Sequence, residues 1–199
     1  MRLVVISNET FFPAEAKLVN QLFEQGLSCF HLRKPNASCA EIAKLLDEIN
    51  EKFHPFISLH QRHEIAHEYG INRLHFSEES RQSSSASRWD DLKKNGSTLS
   101  TSIHNLQDLP NVSGLFDYTF FSPVFNSISK EGYKGILTED FKLTKGNLSA
   151  EIIALGGINS LNISLIKKLK FDGAAVLGCL WKNPENALTE YKKLQTYCQ

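Results

Sequence analysis

Eight short runs rich in apolar or β-branched residues, each separated from the next by a polar or helix-patterned stretch, limit what this chain can fold into more than any other feature. The runs fall at 3–6, 29–32, 56–59, 73–76, 98–102, 118–121, 151–154 and 174–177. Most are apolar at both odd and even positions, which is the pattern of strands buried on both faces of a parallel sheet. Between them the spacing predicts helices at 14–25, 39–50, 64–69, 160–169 and from Pro184 to 197. Ser38, three residues before Glu41, is a capping pair for the second helix. Pro184 opens the last one, where its missing N–H costs nothing. The serine-rich segment 81–96 reads as a loop with a degenerate helix near 89–94.

Repeated strand–helix alternation has two usual outcomes, a closed (β/α)8 barrel or an open doubly wound sheet. Ser7-Asn8-Glu9-Thr10 follows the first strand, where an open nucleotide-binding sheet carries a glycine-rich fingerprint. Glycine and hydroxyl signals come late instead, after the sixth, seventh and eighth strands. That distribution suits a TIM barrel, small at 199 residues, so we expect one barrel domain over 1–199 with a degenerate region at the fourth helix.

Composition excludes several function classes. Lys+Arg and Asp+Glu are both 22, so no long-range field draws the chain toward nucleic acid or an anionic membrane. No run reaches the length of a membrane span. Cys29, Cys39, Cys179 and Cys198 form no C-x-x-C pair and read as reduced thiols of a cytoplasmic protein.

Barrel enzymes place their chemistry at the C-terminal ends of the strands. Four consecutive predicted strand ends carry His31, His60, His75 and His104, which implies a polar mouth. After the sixth strand, Ser127, Ser129 and Lys130 precede Gly132 and Gly135. Hydroxyls, an ammonium and closely approaching backbone suit phosphate oxygens. Gly156-Gly157, read as a turn into a helix N-terminus, and Gly178 would add N–H donors. His63-Glu64-Ile65-Ala66-His67 fits H-E-x-x-H. It falls on a predicted outer helix with both histidines toward solvent, so a zinc protease is not expected.

Taken in order, "LRK" after strand 2, "SPVFNSISK" after strand 6, "ALGGIN" after strand 7 and "AAVLG" at strand 8 resemble the thiamine phosphate synthase and TenI-type thiazole tautomerase superfamily. The resemblance covers nearly the whole chain. It implies a (β/α)8 transferase of thiamine biosynthesis that couples 4-amino-5-hydroxymethylpyrimidine diphosphate with thiazole phosphate, releasing diphosphate, with magnesium present. It places Arg33 and Lys130 on the diphosphate, with His31, Lys34, His60 and Ser102 beside it, and gives catalytic roles to Arg33, Lys130 and His31. Ser127, Ser129, Gly156, Gly157, Leu177 and Gly178 fall on the thiazole phosphate.

The metal candidates are Gln61, Glu78, Glu79 and Ser80. Gln61 and Ser80 stand where that pattern has aspartates, and Glu78 or Glu79 would replace one. His31 stands where the synthase pattern has glutamine, and His-x-Arg there fits the tautomerase branch. Pro123 stands where that branch has a histidine. The alternatives are a tautomerase moving protons with a strand-end histidine, and a phosphate-binding relic without turnover. Partners are small phosphorylated substrates, with neither nucleic acid nor membrane, and a homodimer is left open.

Overall fold

A computed structural model describes residues 1–125, 141, 143, 144, 146 and 148–198. Eight strands close into a barrel in sequence order, every neighbouring pair parallel. The strands are β1 (Arg2–Ile6), β2 (Phe30–Leu32), β3 (Ile57–Leu59), β4 (Arg73–Phe76), β5 (Thr98–Ile103), β6 (Tyr118–Phe121), β7 (Glu151–Leu155) and β8 (Gly173–Val176). Closure comes from β1 on β8, with Leu3 opposite Ala174 and Val5 opposite Val176. The helices are α1 (Glu15–Glu24), α2 (Cys39–Glu48), α3 (Glu78–Gln82), α4 (Ala86–Lys94), α5 (Leu109–Val112), α6 (Ile163–Lys168), α7 (Gly178–Trp181) and α8 (Ala187–Thr196). All eight expected strands form, each within a residue or two of its predicted place.

Strand parity divides the core. Leu3 and Val5 join the large cluster between sheet and helices, whereas Val4 and Ile6 join a smaller cluster with Tyr118, Phe120, Ile153 and Ala175. The smaller cluster is the filling of the barrel itself. Gly173 is required where β8 crosses β1, because a Cβ there would lie 2.6 Å from the Arg2 carbonyl oxygen.

The capping box at Ser38 forms, with the Glu41 N–H donating to the serine hydroxyl and the glutamate accepting from Ser38 N–H. Other helix expectations are revised. In the segment 81–96, residues 81–82 close α3 and residues 86–94 form α4, because Trp89 is buried against Phe76 and Phe116. That tertiary contact overrides the weak local propensity of serine. The helix expected at 64–69 is a single 3-10 turn, His63–Ile65. His63 packs on Phe76 and bonds the Leu59 carbonyl rather than facing solvent, while His67 is exposed, so the H-E-x-x-H pair does not share a face. α6 begins at Ile163, leaving Leu161 outside the helix and 91% exposed. All four cysteines are free thiols. Among the described residues, no helix is long and apolar enough to cross a membrane.

Candidate active site

A cavity of about 460 Å³ opens at the C-terminal ends of the strands. Arg33, His60, Gln61, Glu78, Ser102 and His104 reach it from β2 to β5, and Gly156, Gly157, Leu177 and Gly178 from β7 and β8. A wider depression of about 820 Å³ lies outside the barrel, against α2 and the turn around His54. It lies away from the strand ends that hold the expected chemistry.

The glycines earn their places by geometry. Gly156 and Gly157 have φ of 104° and 67°, in the region that favours glycine. A Cβ on Gly156 would sit 3.0 Å from the Pro123 Cα, so the turn after β7 lies directly on the chain leaving β6. Val124 and Phe125 N–H groups bond the Leu155 and Gly156 carbonyls and lock the two exits together. The helix expected directly after Gly157 is displaced: a turn braced by Asn162 on the Gly157 carbonyl precedes α6.

Arg33 lines the cavity, and its guanidinium pairs with Glu9 from the turn after β1. It is the one lysine or arginine lining the cavity among the described residues. Lys34 is corrected. Its side chain is buried, with Nζ at 2.7 Å from Glu15 Oε1 and 2.9 Å from the Thr10 carbonyl, away from the cavity. Burial raises the Glu15 carboxyl and lowers the Lys34 ammonium, each outweighing the partner's opposing pull. Lys130, Ser127 and Ser129 lie outside the described residues.

The histidines are layered rather than side by side at the rim. His104 sits at the exposed edge, its Nδ1 2.7 Å from Glu78. His60 and His75 line the cavity floor, stacked with centroids 3.9 Å apart. His31, expected at the mouth, is fully buried beneath them. Its residue pairs in register with Ile6 and Ser58, within the barrel ladder, one layer below Arg33. His31 Nδ1 is 2.8 Å from His60 Nε2, and His31 Nε2 is 2.7 Å from the Tyr118 hydroxyl. Burial, then mutual repulsion, lowers His31 and His60 well below the ordinary imidazole value. Burial, with His63 and Arg33 nearby, takes His75 down to about 3. All three are therefore neutral near pH 7.

Two sets of residues at this site are candidate metal ligands. The candidates Gln61, Glu78, Glu79 and Ser80 do not assemble a magnesium site. The Gln61 carbonyl accepts from Lys34 N–H, Glu78 is engaged by Arg81 and His104, and Glu79 and Ser80 do not line the cavity. Magnesium is held through one or two carboxylates, and the two that line the cavity are already paired, Glu9 with Arg33 and Glu78 with Arg81. His31, His60 and His75 have ring nitrogens within 4.8 Å of one another, a spacing a transition metal could use. However, the His60 and His75 planes are only 25° apart, so their in-plane lone pairs run alongside each other instead of converging.

Sequence reasoning missed Glu9, Ser100, Tyr118 and Phe120. Only Glu9 carried a signal, since it follows a strand end. The others are interior residues whose importance depends on the register of β5 on β6.

The fold and the position of this cavity define a small (β/α)8 barrel enzyme. The chain belongs to the thiamine monophosphate synthase (TMP-TENI) family, whose profile matches residues 3–180. It is 22% identical over 200 residues to a thiamine-phosphate synthase of Hydrogenobaculum sp., covering 96% of this chain and 92% of that one. It is 24% identical over 168 residues to the Clostridium tetani thiamine-phosphate synthase, covering 82% and 79%. Such relatives indicate a transferase. The crystal structure of thiamine phosphate pyrophosphorylase from Bacteroides thetaiotaomicron superposes with a TM-score of 0.75 at 26% identity, over 100% of this chain and 98% of that one. The Pyrococcus furiosus thiamine phosphate pyrophosphorylase shares the fold, with a TM-score of 0.76 at 17% identity over 98% and 94%.

Proposed function

We propose that the protein is a thiamine phosphate synthase-like enzyme of the cytoplasm. It joins 4-amino-5-hydroxymethylpyrimidine diphosphate to thiazole phosphate and releases diphosphate. The observation that supports this best is convergence. Arg33, Ser102, Gly156, Gly157 and Gly178 come from four strands and open on one cavity.

The reaction breaks a C–O bond and forms a C–N bond, so the main demand is charge stabilisation on the departing diphosphate. Arg33 supplies a planar, bidentate cation at the rim, with Ser102 deeper in the cavity. A diphosphate competes with Glu9 for that guanidinium. Lys130 adds a second cation, and Ser127 and Ser129 add hydroxyls, from the segment after β6. The glycine turns after β7 and β8 offer backbone N–H groups to the thiazole phosphate. Magnesium would offset further diphosphate charge. The two carboxylates that line the cavity are both paired with arginines and do not fit it.

The test is the two-substrate coupling assay, with and without magnesium. Thiamine phosphate should form, and Lys130→Ala should weaken diphosphate affinity by about tenfold or more, the scale of one charge-assisted contact. No product in either condition would remove this reading, and unchanged affinity would remove the loop from the site.

A further inference from the structure

The rim between β2 and β5 offers protons where a metal ion needs lone pairs. Gln61, just past β3, is the clearest case. Its side-chain oxygen accepts from Lys34 N–H at 3.0 Å, so the amide is pinned with its acceptor on the backbone. Its Nε2 group carries two N–H donors and has no protein partner among the described residues. The side chain lines the cavity. Ser77 lines it too. Its hydroxyl oxygen accepts from Ser80 N–H at 3.1 Å, which leaves its own proton to donate.

The two carboxylates of the cavity sit on donors already. Glu9 accepts from the Arg33 guanidinium. Glu78 accepts from His104 Nδ1–H at 2.7 Å and, more weakly, from Arg81 Nη2 at 3.5 Å. Arg81 is short of acceptors. Its side chain is 11% exposed and its Nε is buried with no partner. The long contact to Glu78 is its one ion pair among the described residues. A buried cation served this thinly lacks an anion. Each carboxylate thus marks a place where donors converge, and a phosphoryl oxygen in either place would meet the same donors.

We infer that the cavity binds diphosphate as a metal-free anion, with Glu9 and Glu78 as internal stand-ins that yield their donors when it arrives. The identity of the anion rests on the coupling reading. The absence of a metal requirement rests on the donors themselves.

The exchange is favourable at Arg33. Its pair with Glu9 is partly exposed, so the glutamate returns to water at small cost. A diphosphate group carries more charge than a carboxylate and more acceptor oxygens, and the planar guanidinium fork matches it. Charge that magnesium would neutralise is met by Arg33 and Arg81, with the Gln61 amide and the Ser77 hydroxyl as further donors. The sign of a carboxylate's effect separates this arrangement from a metal site. A carboxylate that ligates magnesium strengthens diphosphate binding, and its loss weakens it. A carboxylate that competes for the guanidinium weakens binding, and its loss strengthens it.

Inorganic diphosphate titrated into the full chain by calorimetry, first in EDTA and then in magnesium, tests this. The wild type should bind in EDTA, and magnesium should tighten that binding by no more than about threefold, the scale of one exposed ion pair. Glu9→Gln should bind about threefold or more tighter in EDTA, because the competitor for Arg33 is gone. Gln61→Glu keeps an acceptor for Lys34 N–H but replaces the unpartnered donors with a charge. It should weaken metal-free binding about tenfold or more. No binding in EDTA, a larger gain from magnesium, or either variant failing to shift affinity in its stated direction would overturn the inference. The coupling assay keeps the two readings apart. Thiamine phosphate formed only with magnesium would overturn this inference and leave the coupling reading in place. Diphosphate bound in EDTA, with no product in either condition, would do the reverse.

Discussion

Two buried polar groups lie close in sequence and solve the same problem in opposite ways. Lys34 and Glu15 meet as full charges between the top of β2 and α1, sealed from water. His31, His60 and His75 meet as neutral rings inside the barrel, with hydrogen bonds in place of charge. The ion pair carries the desolvation cost of two ions and relies on mutual attraction to offset it. The imidazole layer avoids that cost by staying neutral near pH 7. The contrast teaches that burial alone does not mark a catalytic group. Lys34, the more conspicuous residue in the sequence, is structural, and the histidines are the ones with an open route to the cavity.

The largest expected effect comes from breaking the pair on one side. Glu15→Leu leaves a buried ammonium without a counter-charge and should cost about 3–5 kcal/mol in denaturant unfolding. A loss below about 1 kcal/mol would mean that Lys34 escapes to solvent.

Next is the acid response of the neutral layer. The unfolded histidines titrate near 6.5, whereas His31 and His60 titrate well below that in the fold and His75 at about 3. Below 6.5 the unfolded chain therefore binds more protons. Stability should be full above that pH and decline as the pH falls toward the folded values. For His75, the decline from pH 6.5 to 5.5 is about 1 kcal/mol, and His31 and His60 add to it in the same direction. His31→Leu should make that decline shallower by roughly one proton's share, and an unaltered slope would show the layer already charged in the fold.

Replacing both members of the pair sharpens the comparison. Glu15→Leu with Lys34→Met should lie within about 1 kcal/mol of the wild type, because the desolvation cost disappears with the attraction. A loss as large as that of Glu15→Leu alone would mean that packing, not charge, governs the site. The smallest effect sets the baseline. Glu151→Gln breaks the partly exposed contact with Arg2 and should cost under about 1 kcal/mol.

The barrel was legible because eight apolar runs in alternation admit few topologies, and the Ser38–Glu41 box because capping is local. The layering of the histidines was not. Phe30-His31-Leu32 is buried at all three positions, so hydropathy could not tell which side chains face the barrel axis. Lys34 looked like a rim cation because its partner is 19 residues away on another element. The helix in 81–96 was legible only near 89–94 because its full extent depends on Trp89 finding Phe76 and Phe116. The convergence of Arg33 and the glycine turns on one cavity followed from strand order alone, since every strand end faces the same rim.

Gly156 is pressed against Pro123, and amide bonds fasten the departures of β6 and β7 to each other. Those two corners of the rim are mechanically one piece. A ligand seated on the turn after β7 therefore rests on the same backbone that holds Pro123, Val124 and Phe125 in place.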